Sequence, residues 1–237
     1  MKVTQLKDHA LLKGASAVAR EYIAKCDPAD REQDPLATKR ESYAIETFLS
    51  IGSIVSCVDQ LHFSIEMLSG YRSRSMPGKM NRYDYIVFGI ENYFLRTTSV
   101  FDRCLRLANV IFQLGLPERQ CSQETIIKNS HLKGTRAAKT LSELNKFTNP
   151  FRFQRNTVAH QQTYREKDLE KLGIYYTVAD EDSSVERYHY LCKKMTDDYV
   201  LEKKTEFKEN LEKQEDLVDA YFDAVRSAFE ARLSMAG

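Results

Sequence analysis

Five prolines divide this chain, and none of them interrupts an apolar run of helical period. Pro28, Pro35, Pro77, Pro117 and Pro150 each fall between such runs. Proline lacks a backbone N–H and its ring clashes with the preceding turn, so it marks where helices stop or start. Glycine is scarce as well, at nine in 237 residues. The sequence therefore asks for few tight turns and is predicted to be all-α. A chain of this length buries a core without disulfide or metal staples.

The periodic segments follow one another with short connections. Residues 6–25 form a first helix that ends in the polar linker 27–31. Residues 37–69 form a second, with Tyr43, Phe48, Ile51, Val55, Val58, Leu61, Ile65 and Leu68 recurring at threes and fours. Gly70 and the loop 72–79 stop it. The third, over 82–114, is the most apolar, and Gly115 ends it. Two shorter helices are expected over 122–129 and 135–148. Asn149-Pro150 then reads as an N-cap followed by proline at the first helical position, starting a helix over 151–167. Residues 172–178 (Leu-Gly-Ile-Tyr-Tyr-Thr-Val) are the one strand-like run, either a short strand or an extended loop. A long last helix covers 185–234, charge-rich in its middle and apolar on one stripe near its end. The expected fold is an antiparallel helical bundle. It divides into an N-terminal helix and linker (1–36), a central bundle (37–170), and a short extended segment with the C-terminal helix (171–237) packed on the same domain.

Thirty-five basic and 34 acidic residues leave a net charge of +1. That excludes a globally basic nucleic-acid coat but leaves room for a local patch. The five cysteines are far apart, odd in number and without a C-x-x-C pair, so reduced core thiols in the cytoplasm are expected and no metal or other cofactor is. The N-terminus lacks a signal-peptide apolar core, and no run approaches ~18 apolar residues, so no membrane association is expected.

The segment that carries chemistry is Arg155-Asn156-Thr157-Val158-Ala159-His160. In RNA the ribose 2′-hydroxyl can attack the adjacent phosphate, so the substrate supplies its own nucleophile. The protein must then move a proton and stabilise extra negative charge. Histidine titrates near neutrality and serves as acid or base. Arginine offers a permanently charged fork of donors matched to phosphate oxygens. Five residues at ~100° each separate Arg155 from His160 by about 140° around a helix. One helix does not converge them on a point. Two copies meeting face to face bring both pairs to one cleft, so a homodimer with a composite site is expected, with RNA as substrate.

This segment resembles the signature of the HEPN superfamily, an Arg followed by four to six residues and a His, most often with a polar Asn, Asp or His directly after the Arg. Arg155, Asn156 and His160 match the shortest spacing and the preferred Asn. The helix 91–103 resembles the polar-flanked helix that packs near the motif in that superfamily. With it the resemblance spans residues 37–168 and leaves the N-terminal helix and the long C-terminal helix outside. It implies an HEPN-type all-α bundle with an additional C-terminal helix, a homodimer, and metal-independent endoribonuclease activity leaving a 2′,3′-cyclic phosphate. It also implies a toxin or antiviral-defence setting with an antitoxin or defence partner. Minimal HEPN toxins paired with a nucleotidyltransferase carry Tyr two residues after the His. Position 162 here is Gln, which argues against that group.

Around the catalytic candidates Arg155 and His160, supporting roles are open to Asn156, Asp102 and Tyr164, and RNA contacts to Arg96 and Arg152. Each also has a plainer reading. His160 suits a helix-capping histidine, and Arg155 a surface ion pair. Asn156 is either an orienting or a surface residue. Tyr164, one turn past His160 on the same helix face, is either a base-stacking or a packing residue. Asp102 either fixes the histidine tautomer or pairs with Arg106. The loop with Arg72, Arg74 and Lys79 is either an RNA contact or solvated. Two further functions remain beside the nuclease: a non-catalytic HEPN module that binds nucleotide or RNA, and a helical adaptor that docks partners through its C-terminal helix.

Overall fold

The second predicted segment begins with a capping box. Thr38 Oγ1 accepts the Glu41 N–H at 3.2 Å, and Glu41 Oε2 accepts the Thr38 N–H at 2.8 Å. Two orphan donors are thus satisfied reciprocally, and a helix starts at Lys39. Lys25 pairs with the same carboxylate. That ammonium, together with the Thr38 donors, pulls the Glu41 pKa down to about 2.

The computed structural model describes residues 3–26, 35–72, 80–160, 162–181 and 186–236. Among them the elements are α1 (Val3–Asp8), α2 (Ala10–Ile23), α3 (Lys39–Met67), α4 (Arg82–Ile111), α5 (Gln123–Ile127), α6 (Arg136–Thr148), α7 (Phe151–His160), α8 (Lys167–Glu181) and α9 (Glu186–Met235). No strand occurs among the described residues, and the chain is all-α. The linker 27–31, the loop positions Arg74 and Lys79, and residues 182–184 lie outside the described residues; Arg72 is exposed.

The helices sort into two units that interleave along the chain. The first comprises residues 1–59, 99–148 and 213–237; the second comprises 60–98 and 149–212. In the first, Leu11, Ile51, Ile54, Phe101, Leu144 and Phe229 are among the side chains withdrawn from solvent. Buried tyrosines spend their hydroxyls on carbonyls there: Tyr43 donates to Ile111 O at 3.0 Å and Tyr221 to Cys104 O at 2.9 Å. Burial pushes the Tyr43 phenol up to about 12. His9 caps α2, its Nδ1 accepting from Leu11 N at 3.1 Å while Nε2 faces Asp223 at 3.3 Å. In the second unit Leu61, Ile65, Ile90, Tyr93, Leu169 and Phe207 form the interior. The Tyr93 and Phe207 rings stack 3.8 Å apart and within 4° of parallel.

By length and composition α3 is the one described helix that satisfies the requirement for crossing a membrane. Ala44, Ile51, Ile54, Leu61 and Ile65 are nonetheless at most 1% exposed, which is the pattern of a core helix apolar on most sides.

Three expectations are corrected. Residues 172–178 are neither strand nor extended loop but the interior of α8. Leu169 and Leu172, three apart, are buried together, and that anchoring overrides the strand propensity of the run that follows. The helix expected over 151–167 stops at His160, and α8 begins at Lys167. The first segment is two helices, broken at His9.

The end of α4 is also not set by Gly115 alone. Leu114 N reaches Asn109 O and Gln113 N reaches Val110 O, both at 3.0 Å, so the left-handed position is Gln113 at φ 49°. Gly115 follows at φ 66°. Asn109 then fastens the exit, donating to Leu116 O at 2.9 Å and accepting from Leu116 N at 3.0 Å.

Two outcomes follow. Gln113→Gly relieves a left-handed side-chain clash, and chemical denaturation is expected to show a gain of up to ~1 kcal/mol, the clash partly offset by the greater freedom of glycine in the unfolded chain. For Glu41 the folded pKa lies below the unfolded one, so its contribution is present above about pH 4.5 and is lost as pH falls toward 2. The stability gap between wild type and Glu41→Gln is expected to be widest near neutrality and to close over that window in thermal melts.

Candidate motif helix and its anchors

Helix α7 follows α6 after Asn149 and Pro150 alone, and Asn149 O accepts the Arg152 N–H at 3.1 Å. It spans ten residues and buries none of them fully. Its half-buried side includes Phe151, Arg152, Gln154, Arg155 and Val158, and its exposed side Phe153, Asn156, Ala159 and His160. Phe153 is 76% exposed. Seven residues separate Phe153 from His160, within about 20° of two full turns, so ring and imidazole share a face.

Arg155 starts from a different direction, but its guanidinium does not stay there. Nη1 donates to Asn156 Oδ1 at 2.9 Å. Asn156 lies on the exposed side, so this bond draws one arm of the fork toward that side and leaves the other donors available. Among the described residues no hydrogen bond joins Arg155 to His160, and the two side chains of one chain are not brought together. No acidic residue occurs between Phe151 and Arg165, whereas Arg152, Arg155, His160 and Arg165 do.

Because the helix ends at His160, Tyr164 is not one turn further along it. Gln162 N bonds back to Thr157 O at 3.0 Å, and the chain then leaves the helix axis. Tyr164 is half-buried and packs on Phe94, with ring centroids 5.0 Å apart. Its N–H donates to Glu91 Oε1 at 2.9 Å and its hydroxyl to Glu166 Oε2 at 2.7 Å. Burial and then the neighbouring carboxylate raise the phenol pKa. Glu166 is held in turn by Lys203 Nζ at 2.9 Å, which also meets Glu206 at 3.0 Å. Desolvation opposes the charge on Lys203, but Glu166 and Glu206 outweigh it and keep the lysine above its ordinary range. Phe94 meets Phe151 as well, at 6.2 Å, so one ring touches the residue that opens α7 and the residue just past its end.

The remaining expected residues sit as follows. Arg96 is half-buried and donates to Gln60 Oε1 at 2.6 Å. Arg152 is half-buried in the first turn of α7. Asp102 is exposed, on the part of α4 that belongs to the first unit, whereas α7 belongs to the second. Arg106, its suggested ion-pair partner, pairs with Glu118 at 2.7 Å.

Sequence reasoning did not identify Glu91, Glu166 or Lys203, since long-range pairing leaves no local pattern. Nor did it identify Gln154, whose Oε1 is buried without a donor among the described residues.

The family model described as Cthe2314-like HEPN matches residues 52–226. At the level of the family this points to a nuclease or RNA-related role. The match runs well into α9, so most of the C-terminal helix lies inside the family's region, not outside it. No curated protein and no solved structure matches the chain.

The Glu91 clamp is open to measurement. Glu91→Ala removes a charged acceptor from a part-buried N–H and is expected to cost about 1.5–3 kcal/mol in urea denaturation. Glu91→Gln keeps an acceptor oxygen and is expected to cost clearly less. Equal losses in the two variants would contradict the assigned bond.

Proposed function

Since the chain belongs to the Cthe2314-like HEPN family, we propose that it is a metal-independent endoribonuclease that works as a homodimer. The observation that carries this reading is the uncovered face of α7, where Asn156 and His160 lie beside an exposed Phe153 and Asn156 holds one arm of the Arg155 guanidinium. A ten-residue helix with a bare aromatic on its functional face suits burial against a second copy of itself.

The chemistry is a transesterification. The 2′-oxygen forms a bond to phosphorus, the bond from phosphorus to the 5′-oxygen breaks, and a 2′,3′-cyclic phosphate remains. One proton leaves the 2′-hydroxyl and one reaches the departing 5′-oxygen. A single imidazole cannot take and give at the same moment. Two copies of His160 across a two-fold axis supply an acceptor on one side and a donor on the other. Arg155 from each copy meets the charge that builds on the phosphoryl oxygens. Asn156 is a positioning residue that holds the fork. A toxin or antiviral-defence role, with an antitoxin or defence partner, is the setting this activity suits.

RNA cleavage with EDTA present tests the reading. Arg155→Ala is expected to lose about 10²–10³-fold in kcat and His160→Ala about 10²–10⁴-fold. Specific activity is expected to fall on dilution through the dimer's dissociation range. Equal background in wild type and both variants removes the enzyme and leaves an RNA-binding domain. Full activity in a demonstrated monomer removes the composite site.

A further inference from the structure

We infer that the chain carries a second RNA contact, a cationic groove in the first unit that holds the substrate's phosphodiester backbone. This rests on the ribonuclease reading above. The groove has a volume of about 740 Å³ and is lined by Lys128, Lys133, Arg136 and Lys139, with Ile127 and Ala138 also on its wall. All four cationic residues are exposed.

Charge is what singles it out. The chain as a whole is nearly neutral, at +1. Between Glu124 and Glu143, however, these four cations and His131 stand with no acidic residue among them. Lys128 pairs with Glu124 at 2.5 Å, an exposed contact of little strength. Lys133, Arg136 and Lys139 make no ion pair among the described residues. A concave surface with uncompensated positive charge concentrates polyanions.

The backbone that carries the cations is tied down. Gly134 takes φ 78°, and Thr135 Oγ1 caps α6 by accepting the Ala138 N–H at 3.2 Å while donating to Leu132 O at 2.6 Å. Ile126, Leu132 and Ala137 are buried beneath the turn, at 0%, 0% and 1% exposure. The side chains therefore rise from a rigid turn. Phosphates meet the ammonium and guanidinium groups, and ribose edges lie over the apolar wall. No residue of the motif helix lines the groove, so it serves binding and not the chemical step.

The test is done in the full chain carrying His160→Ala, so that RNA is bound but not cut. A labelled single-stranded RNA of roughly 20 nucleotides is titrated over a range of salt. The groove variant Lys133→Gln/Arg136→Gln/Lys139→Gln is expected to bind about tenfold or more weakly at moderate salt. Its log–log salt slope is expected to shrink by about 2, from three lost contacts at ~0.7 each. The equally discharged Lys193→Gln/Lys194→Gln/Lys213→Gln is expected to match its parent. The three single groove variants are each expected to lower the slope by roughly 0.7, which serves if the triple variant folds poorly. With His160 intact, the groove variant is expected to raise KM about tenfold with kcat within about twofold. If groove and control variants behave alike while wild type cleaves RNA, the groove inference falls and the ribonuclease reading stands. If the groove variant loses only binding to an acidic polypeptide such as polyglutamate, the ligand is a protein and the inference falls. If neither the parent nor wild type binds RNA at low salt and wild type does not cleave it, both fall together.

Discussion

A ten-residue helix that buries no side chain fully cannot hold itself in place, since isolated helices of that length are marginal in water. The Arg-Asn-His segment therefore depends on what grips the two ends of α7, and both grips meet at Phe94. That ring is 5% exposed and touches Phe151 at the helix start and Tyr164 just past its end. Phe94 also meets Phe207 edge-on at 5.8 Å, which ties the arrangement to the Tyr93–Phe207 stack. The apolar contacts place the segment, and two carboxylates then fix its direction. Glu91 takes the Tyr164 N–H and Glu166 takes its hydroxyl. Packing sets position at low directional cost, and the charged hydrogen bonds set orientation.

Most of the fold was legible because its signals are local. Asn149-Pro150 does precede a helix. The sustained three-and-four spacing of α3 and α4 needs no knowledge of what covers it. What failed to show was non-local. Ile174 to Val178 reads as a strand because β-branched and aromatic residues are crowded there. The helix wins because Leu169 and Leu172 are buried and Tyr176, on the same helical stripe, packs its ring 6.2 Å from that of Tyr83. Gly173 is a poor helix residue, yet a Cβ there would lie 3.1 Å from the Tyr83 ring. The residue that looks like a helix breaker is what admits the neighbour.

The candidate site divides in the same way. Arg155 and His160 were readable as a pair because chemistry and spacing coincide in six residues. The end of α7 at His160 was not. Nothing in residues 161–166 is a strong stop signal, and the chain leaves the helix because Tyr164 gains Phe94, Glu91 and Glu166 in exchange. Phe94 and Glu91 come from α4, too far away in sequence to leave a pattern, and Glu166, two residues on, is held in place by the equally remote Lys203. The C-terminal helix shows the converse. Its charge-rich middle, 202–214, reads as solvated, yet Phe207 and Leu211 are buried there and Lys203 braces Glu166.

Asn156 links these levels. On a helix of ordinary pitch the residue after Arg155 is displaced by about 100°, which here carries it from the half-buried side to the exposed side that also holds His160. A short side chain with one acceptor oxygen at that position turns part of the guanidinium toward the exposed side without burying its charge. An aliphatic residue there offers no acceptor, and a lysine repels the fork. The separation of about 140° between Arg155 and His160 is thus reduced within one chain by Asn156, and under the proposed dimer a second copy of α7 would close the rest.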